Sequence, residues 1–167
     1  MAIYRCWQPN ENPRFPHELT HLVAHTWREP YLWQMELGTV EMVSTSFMQE
    51  GLAMAIDEIV FGRNLFFDCE YKFIDDWCRK GEKYPDIVDV INFNGFCAFE
   101  NKIVLPYTAS FSKFLLKTFG VRKYKEFYVG IREIFTPGEN LKIMERIYSF
   151  KEEDLLLKWR ENLSYLM

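Results

Sequence analysis

The sequence predicts a mainly α fold with at most a small, short-stranded β-sheet. Apolar residues recur three and four positions apart through most of the chain, the spacing that lines one face of a helix. Ser46 with Gln49, and Ser149 with Glu152, have the Ser-x-x-Gln/Glu form that opens helices. The stretches with strand character are few and short. At 167 residues, with 49% hydrophobic and 17% aromatic residues, the chain suits one domain with a sizeable core.

The elements follow in order. Ala2-Ile3-Tyr4-Arg5-Cys6-Trp7 reads as a short strand bounded by Gln8-Pro9-Asn10. A first helix begins between Pro13 and His17, where proline is tolerated, with Phe15, Leu19, Leu22, Val23 and Thr26 as its expected buried stripe and Pro30 as its end. A weaker helical stretch covers 31–43, its propensity lowered by Gly38, Thr39 and Val40. The Ser46/Gln49 box opens a helix that turns Leu52, Ala55, Ile56 and Ile59 to the core, holds Glu50 in its first turn and stops at Gly62. Tyr71, Ile74 and Trp77 lead a further helix to Gly81, and a short one spans 86–91 ahead of an Asn94-Gly95 turn.

Phe96-Cys97-Ala98-Phe99 with Lys102-Ile103-Val104-Leu105 is a second candidate for extended edge strands. An apolar helix then runs from Phe111 to Gly120, following Tyr107 in a loop. The same period continues through Val121, Tyr124, Tyr128, Ile131 and Phe135, breaks at Pro137-Gly138, and resumes at Leu141, Met144 and Ile147. The Ser149/Glu152 box opens the last helix, in which Leu155, Leu156, Trp159 and Leu163 share a face. These aromatic and methionine stripes read as core.

Composition narrows the function. A net charge of −4 with dispersed basic residues offers nucleic acid no attractive surface. No apolar run reaches the length of a membrane span, and no leader follows Met1, so the expected setting is the cytosol. Cysteines 6, 69, 78 and 97 lack CxxC spacing and read as free thiols.

Two of the three histidines stand in His17-Glu18-Leu19-Thr20-His21. Residues four apart share a helix face, so the two imidazoles can converge on one metal ion while Glu18 projects beside it. Zinc then needs a third protein ligand, with a fourth position kept for water when the site is catalytic. His25 lies eight residues beyond His17, a rise of about 12 Å on a continuous helix, so it reads as a partly exposed helix residue or one outside the ligand set. Leu22-Val23-Ala24 contains no glycine to break the helix toward a later histidine, which disfavours the metzincin arrangement. The third ligand is therefore expected to be a carboxylate on a second helix, with Glu36, Glu41 and Glu50 as candidates. We take Glu50, because Gly51 and Ala53 beside it allow two helices to approach closely.

With Gln49-Glu50-Gly51-Leu52-Ala53 behind the histidine motif, the chain resembles the gluzincin zinc metallopeptidases, in particular peptidase MA-like domains and, more distantly, M1 aminopeptidases and thermolysin-like enzymes. Leu105-Pro106-Tyr107 and the apolar segment after it are similar to the part of M1 enzymes that carries their catalytic tyrosine. Glu152-Glu153-Asp154-Leu155 and Lys158-Trp159-Arg160 resemble the last helix of MA-like domains, so the resemblance spans from about His17 to about Leu163. It implies a zincin-like helical catalytic domain. Residues 1–16 would be an N-terminal extension or edge strand, 17–62 the zinc-binding helices, and 63–167 a helical C-terminal part carrying Tyr107.

The resemblance implies zinc-dependent hydrolysis of peptide bonds, with His17, His21 and Glu50 on the metal, Glu18 as general base and then acid, and Tyr107 stabilising the oxyanion, Tyr31 and His25 standing in reserve. The partner implied is a peptide or protein substrate. The chain departs from the family in several places. Glu41, not Glu50, has nearly the thermolysin-like spacing from His21. Met54 stands where thermolysin-like chains place an aspartate that orients a zinc histidine, and Asp57, seven residues after Glu50, is the expected substitute. The glycine-rich exopeptidase motif is missing, which favours an endopeptidase or oligopeptidase. Only sixteen residues precede His17, leaving the edge strand that pairs with substrate to the short segments above or to a partner chain, in an oligomer or otherwise. The competing expectation is a zinc-bound, catalytically inactive module that binds a protein. Glu18 argues against it, because a structural zinc does not require that residue.

Overall fold

The computed structural model describes residues 15–27, 44–61 and 85–164. Seven helices occupy these residues, and no strand occurs among them, in agreement with a mainly α fold. They are α1 (Phe15–His25), α2 (Ser46–Phe61), α3 (Ile87–Val90), α4 (Phe93–Phe96), α5 (Asn101–Gly130), α6 (Pro137–Tyr148) and α7 (Glu152–Ser164). The expected strand over residues 2–7, the helical stretches over 31–43 and 71–81, and the stops at Pro30 and Gly62 lie outside the described residues.

The molecule is organised around α5, which packs most extensively on α2; α2 in turn carries α1 on another side. Residues 106–115 of α5 are buried all round, as expected of a helix enclosed by neighbours. Tyr107, Phe111, Phe114 and Leu115 meet Phe47, Met48 and Leu52 of α2 and Leu155, Trp159 and Leu163 of α7 in one core. Several polar atoms inside it are paired. Trp159 Nε1 donates to Ser110 Oγ at 3.1 Å, and the Tyr124 hydroxyl donates to Ser112 Oγ at 3.0 Å, so these residues satisfy one another where water is excluded. Lys113 Nζ reaches both oxygens of Glu58 on α2, at 2.8 and 2.9 Å.

Gly51 is what allows α2 and α5 to approach so closely. A β-carbon there would stand 2.6 Å from Thr108 Oγ1 and 2.7 Å from the Thr108 carbonyl oxygen, and nearer still to Ser112 Oγ. Gly51 beside Glu50 therefore makes a close helix contact, and the helix it meets is α5. Gly120, at φ +81°, divides α5 into limbs 101–119 and 121–130 and redirects the second, because a left-handed backbone there costs glycine little.

Several expectations are corrected. Helix α5 begins at Asn101, with Ile103 N and Val104 N donating to the Glu100 carbonyl, so 102–105 are helical and not an edge strand. Pro106 lies inside this helix; it has no N–H to continue the ladder, and burial of the surrounding turns carries the helix through it. Likewise Phe96 ends α4, and Asn94-Gly95 lies within that helical turn. The short helix expected over 86–91 is α3, with Asp86 as its N-cap and Ile91 as its C-cap.

On α1 the expected apolar stripe faces outward: Leu19, Leu22 and Val23 are exposed, as is Thr26, whereas His17 and Ala24 are buried. The helix turns its histidine face to α2 because that face closes on Glu50. On α2 the buried set is Phe47, Met48, Leu52 and Ala55, with Ile59 exposed. The Ser46/Gln49 box does not form: the Ser46 hydroxyl has no hydrogen-bond partner among the described residues, and the Thr45 carbonyl accepts from Met48 N and Gln49 N. Glu50 is consequently the fifth residue of α2 and sits in its second turn. Ser149 does not open α7 either; it closes α6 in the left-handed conformation at φ 62°. Helix α6 has the capping box instead, between Thr136 and Glu139. The second limb of α5 ends at Gly130, five residues short of Phe135, while the face of Leu155, Leu156, Trp159 and Leu163 on α7 is buried as expected.

Candidate metal centre

Helix α1 brings His17 and His21 one above the other, one turn apart, and α2 brings Glu50 against both. His17 Nε2 and His21 Nε2 are 3.1 Å apart. Glu50 Oε2 lies 3.5 Å from His17 Nε2, and Glu50 Oε1 lies 3.7 Å from His21 Nε2. Ligands of a tetrahedral ion with bonds of about 2.1 Å stand about 3.4 Å from one another; here one ligand atom from each of the three side chains lies within 4.8 Å of the others, close enough that the group could hold a metal. The rings meet edge to face, with centroids 4.8 Å apart, so both Nε2 atoms can point into the same space.

Electrostatics reinforce this arrangement. Burial holds the His21 imidazole below its ordinary value, outweighing the opposing pull of Glu50. Burial pushes the Glu50 carboxyl up, but its hydrogen bond with His17 and the nearby imidazoles dominate and hold it below the usual carboxylate range. A neutral imidazole and an ionised carboxylate are the protonation states in which these groups bind metal. Glu18 is exposed, next to His17 in sequence, and near enough to His21 for its charge to act there.

The remaining candidates separate clearly. His25, one turn beyond His21, is outside the group of three. Glu36, Glu41 and Tyr31 lie outside the described residues. Asp57 is buried two turns along α2 from Glu50, yet its Oδ1 has no hydrogen-bond partner among the described residues; the expected bond to a histidine ring N–H is not made through that atom.

Tyr107 is not brought to the group. Its ring packs 5.1 Å from Trp159 and 5.8 Å from Phe47, it is 2% exposed, and the charges acting on its phenol are those of Asp86, Arg160, Glu152 and Asp89. It lies within α5, not in a loop ahead of a helix.

Tyr128 is the tyrosine on which the Glu50 charge acts. It is buried on the second limb of α5, meets Trp27 edge to face at 5.3 Å just after α1, and has Glu50 as the charged group acting on its phenol. Burial first, and Glu50 second, push that phenol above its ordinary value, so it stays protonated as a donor. Periodicity marked Tyr128 only as one of a core stripe.

No protein family, curated protein or solved structure matches this chain. Among the described residues, no helix is long and apolar enough to cross a membrane.

Proposed function

We propose that this chain is a zinc-dependent hydrolase of peptide bonds, of the gluzincin kind, in which His17, His21 and Glu50 hold the ion. The observation that supports this most directly is the convergence of the two imidazoles and the carboxylate: the Nε2 atoms stand 3.1 Å apart, each faces a different Glu50 oxygen at 3.5 and 3.7 Å, and one ligand atom from each residue lies within 4.8 Å of the others. Two imidazole nitrogens and one carboxylate oxygen form a donor set well matched to zinc. Zinc there supplies Lewis acidity toward a carbonyl oxygen and acidifies a water molecule.

The protein groups do the rest. Glu18, exposed beside His17, takes a proton from the attacking water and returns it to the departing amine. Tyr128, kept protonated by burial and by Glu50, is the donor we assign to the carbonyl oxygen as negative charge develops. Tyr107 serves the core beneath α2 in this reading. The substrate is a peptide or protein, and the setting expected for it is cytoplasmic.

The test uses the parent protein and Glu18→Gln. Bound zinc is measured in both, and each is incubated with a mixed peptide library. Zinc in both, with cleavage by the parent alone, is the expected result. Zinc in both without cleavage by either favours a zinc-bound, inactive protein-binding module. Failure of the parent to take up zinc overturns the reading.

A further inference from the structure

The N-terminus of α2 has one long local side-chain bond, from Gln49 Nε2 to the Ser44 carbonyl at 3.4 Å, and no capping hydroxyl among the described residues. Among the described residues the buried hydroxyls of Ser44, Thr45 and Ser46 have no hydrogen-bond partner, and the first N–H of the helix finds its acceptor 87 residues away. Ser46 N donates to Glu133 Oε1 at 2.6 Å, and the other oxygen of the same carboxylate, Oε2, accepts from Phe93 N at 2.6 Å at the start of α4. One side chain thus ties two helix starts to the connection between α5 and α6.

That connection is held in turn. Asn92 Nδ2 donates to the Glu133 carbonyl at 3.0 Å and to the Phe135 carbonyl at 2.7 Å. Asn140 takes Arg132 N at 3.0 Å through Oδ1, and its Nδ2 reaches the Arg132 carbonyl at 2.8 Å and Asn92 Oδ1 at 3.1 Å. Asn140 is fully buried, so Glu133 projects from a braced turn and not from a loose loop.

We propose that Glu133 is a positioning residue for the metal group, an inference that rests on the metal-binding reading above. Glu50 follows Ser46 by four residues, a rise of about 6 Å along α2. Metal bonds tolerate errors of about 0.2 Å. Fixing the first N–H of α2 therefore fixes how far Glu50 advances toward His17 and His21. A carboxylate suits the role, since it can accept from two helix starts at once and its charge complements the positive ends of both. A local cap would hold α2 as a helix but would not set its position relative to α4 and the α5–α6 connection.

The test titrates zinc alone into the parent, Glu133→Gln, Glu133→Ala and Thr136→Ala, by competition with a chromophoric chelator, alongside thermal melts. Thr136→Ala is the control: it removes the cap of α6 and destabilises the fold without touching α2. We expect Glu133→Ala to bind zinc about ten- to a hundredfold more weakly, the range for losing a partner outside the ligand set, with Glu133→Gln intermediate and Thr136→Ala like the parent. If Glu133→Ala does not fold, Glu133→Gln carries the comparison. Faster amide hydrogen exchange over residues 46–50 in the Glu133 variants, but not in Thr136→Ala, is the second expected readout. A parent that binds zinc while the Glu133 variants bind it equally well overturns this inference alone. A parent that binds none overturns the metal reading and this inference with it.

Discussion

Gly51 and Thr108 touch where α2 crosses α5: a methyl group on Gly51 would come within 2.6 Å of the Thr108 hydroxyl oxygen and 2.7 Å of its carbonyl oxygen. Thr108 Oγ1 also donates to the Phe47 carbonyl, so neither side of the contact is free to swing away. Gly51→Ala should therefore force the helices apart, costing about 1–3 kcal/mol as overpacking does. Because Glu50 is the adjacent residue, zinc affinity should fall as well. Melting curves and a zinc titration check both; an unchanged melting temperature would mean that the helices separate at no cost.

The two tyrosines make opposite predictions. Tyr128→Phe keeps the buried ring and removes the donor near Glu50, so cleavage should drop about 10²–10³-fold with zinc retained. Tyr107→Phe should leave cleavage within a few-fold of the parent, whereas Tyr107→Ala should cost about 3–5 kcal/mol of stability by emptying the space between Trp159 and Phe47. Steady-state kinetics and denaturant melts distinguish the two. Loss of turnover in Tyr107→Phe, with Tyr128→Phe active, would reverse the assignment.

Removing a ligand should be more severe than removing the base. His21→Ala and Glu50→Gln should each abolish stoichiometric zinc uptake at micromolar protein, and Glu18→Gln should not. Metal content after dialysis against zinc-buffered solution reads this directly. Uptake by Glu50→Gln equal to that of the parent would take Glu50 out of the ligand set.

Acid should weaken the α6 cap in a defined direction. The Thr136 backbone N–H, and then its hydroxyl, hold the Glu139 carboxyl below its ordinary value of 4.5. The unfolded chain therefore takes up this proton first as pH falls. The contribution is fully present above about pH 4.5 and is lost as pH drops through the depressed folded value. Glu139→Gln should melt lower than the parent at pH 7, and the difference should shrink toward pH 3. Thermal melts across that range test it, and a difference that grows on acidification would contradict the sign.

The chain shows how far local pattern reaches. The four-residue spacing of His17 and His21, and the Glu50-Gly51 pair on a later helix, could be read directly, because helix periodicity fixes which side chains share a face and a glycine marks a close approach. The mainly α character and the buried face of α7 follow from the same periodicity. Rotation of a helix in its packed setting is not local. Leu19, Leu22 and Val23 form a plausible buried stripe, yet the opposite face of α1 closes on Glu50.

By itself, then, the sequence determined that two histidines and an acid stand on helices able to meet. Tertiary structure alone decided that Tyr107 is enclosed between Trp159 and Phe47, that the Glu50 charge acts on Tyr128, and what secures the start of α2, through Glu133. The physical reason is range: periodicity acts over one or two turns, whereas the bond from Ser46 N to Glu133 spans 87 residues and exists only once the core has brought its ends together.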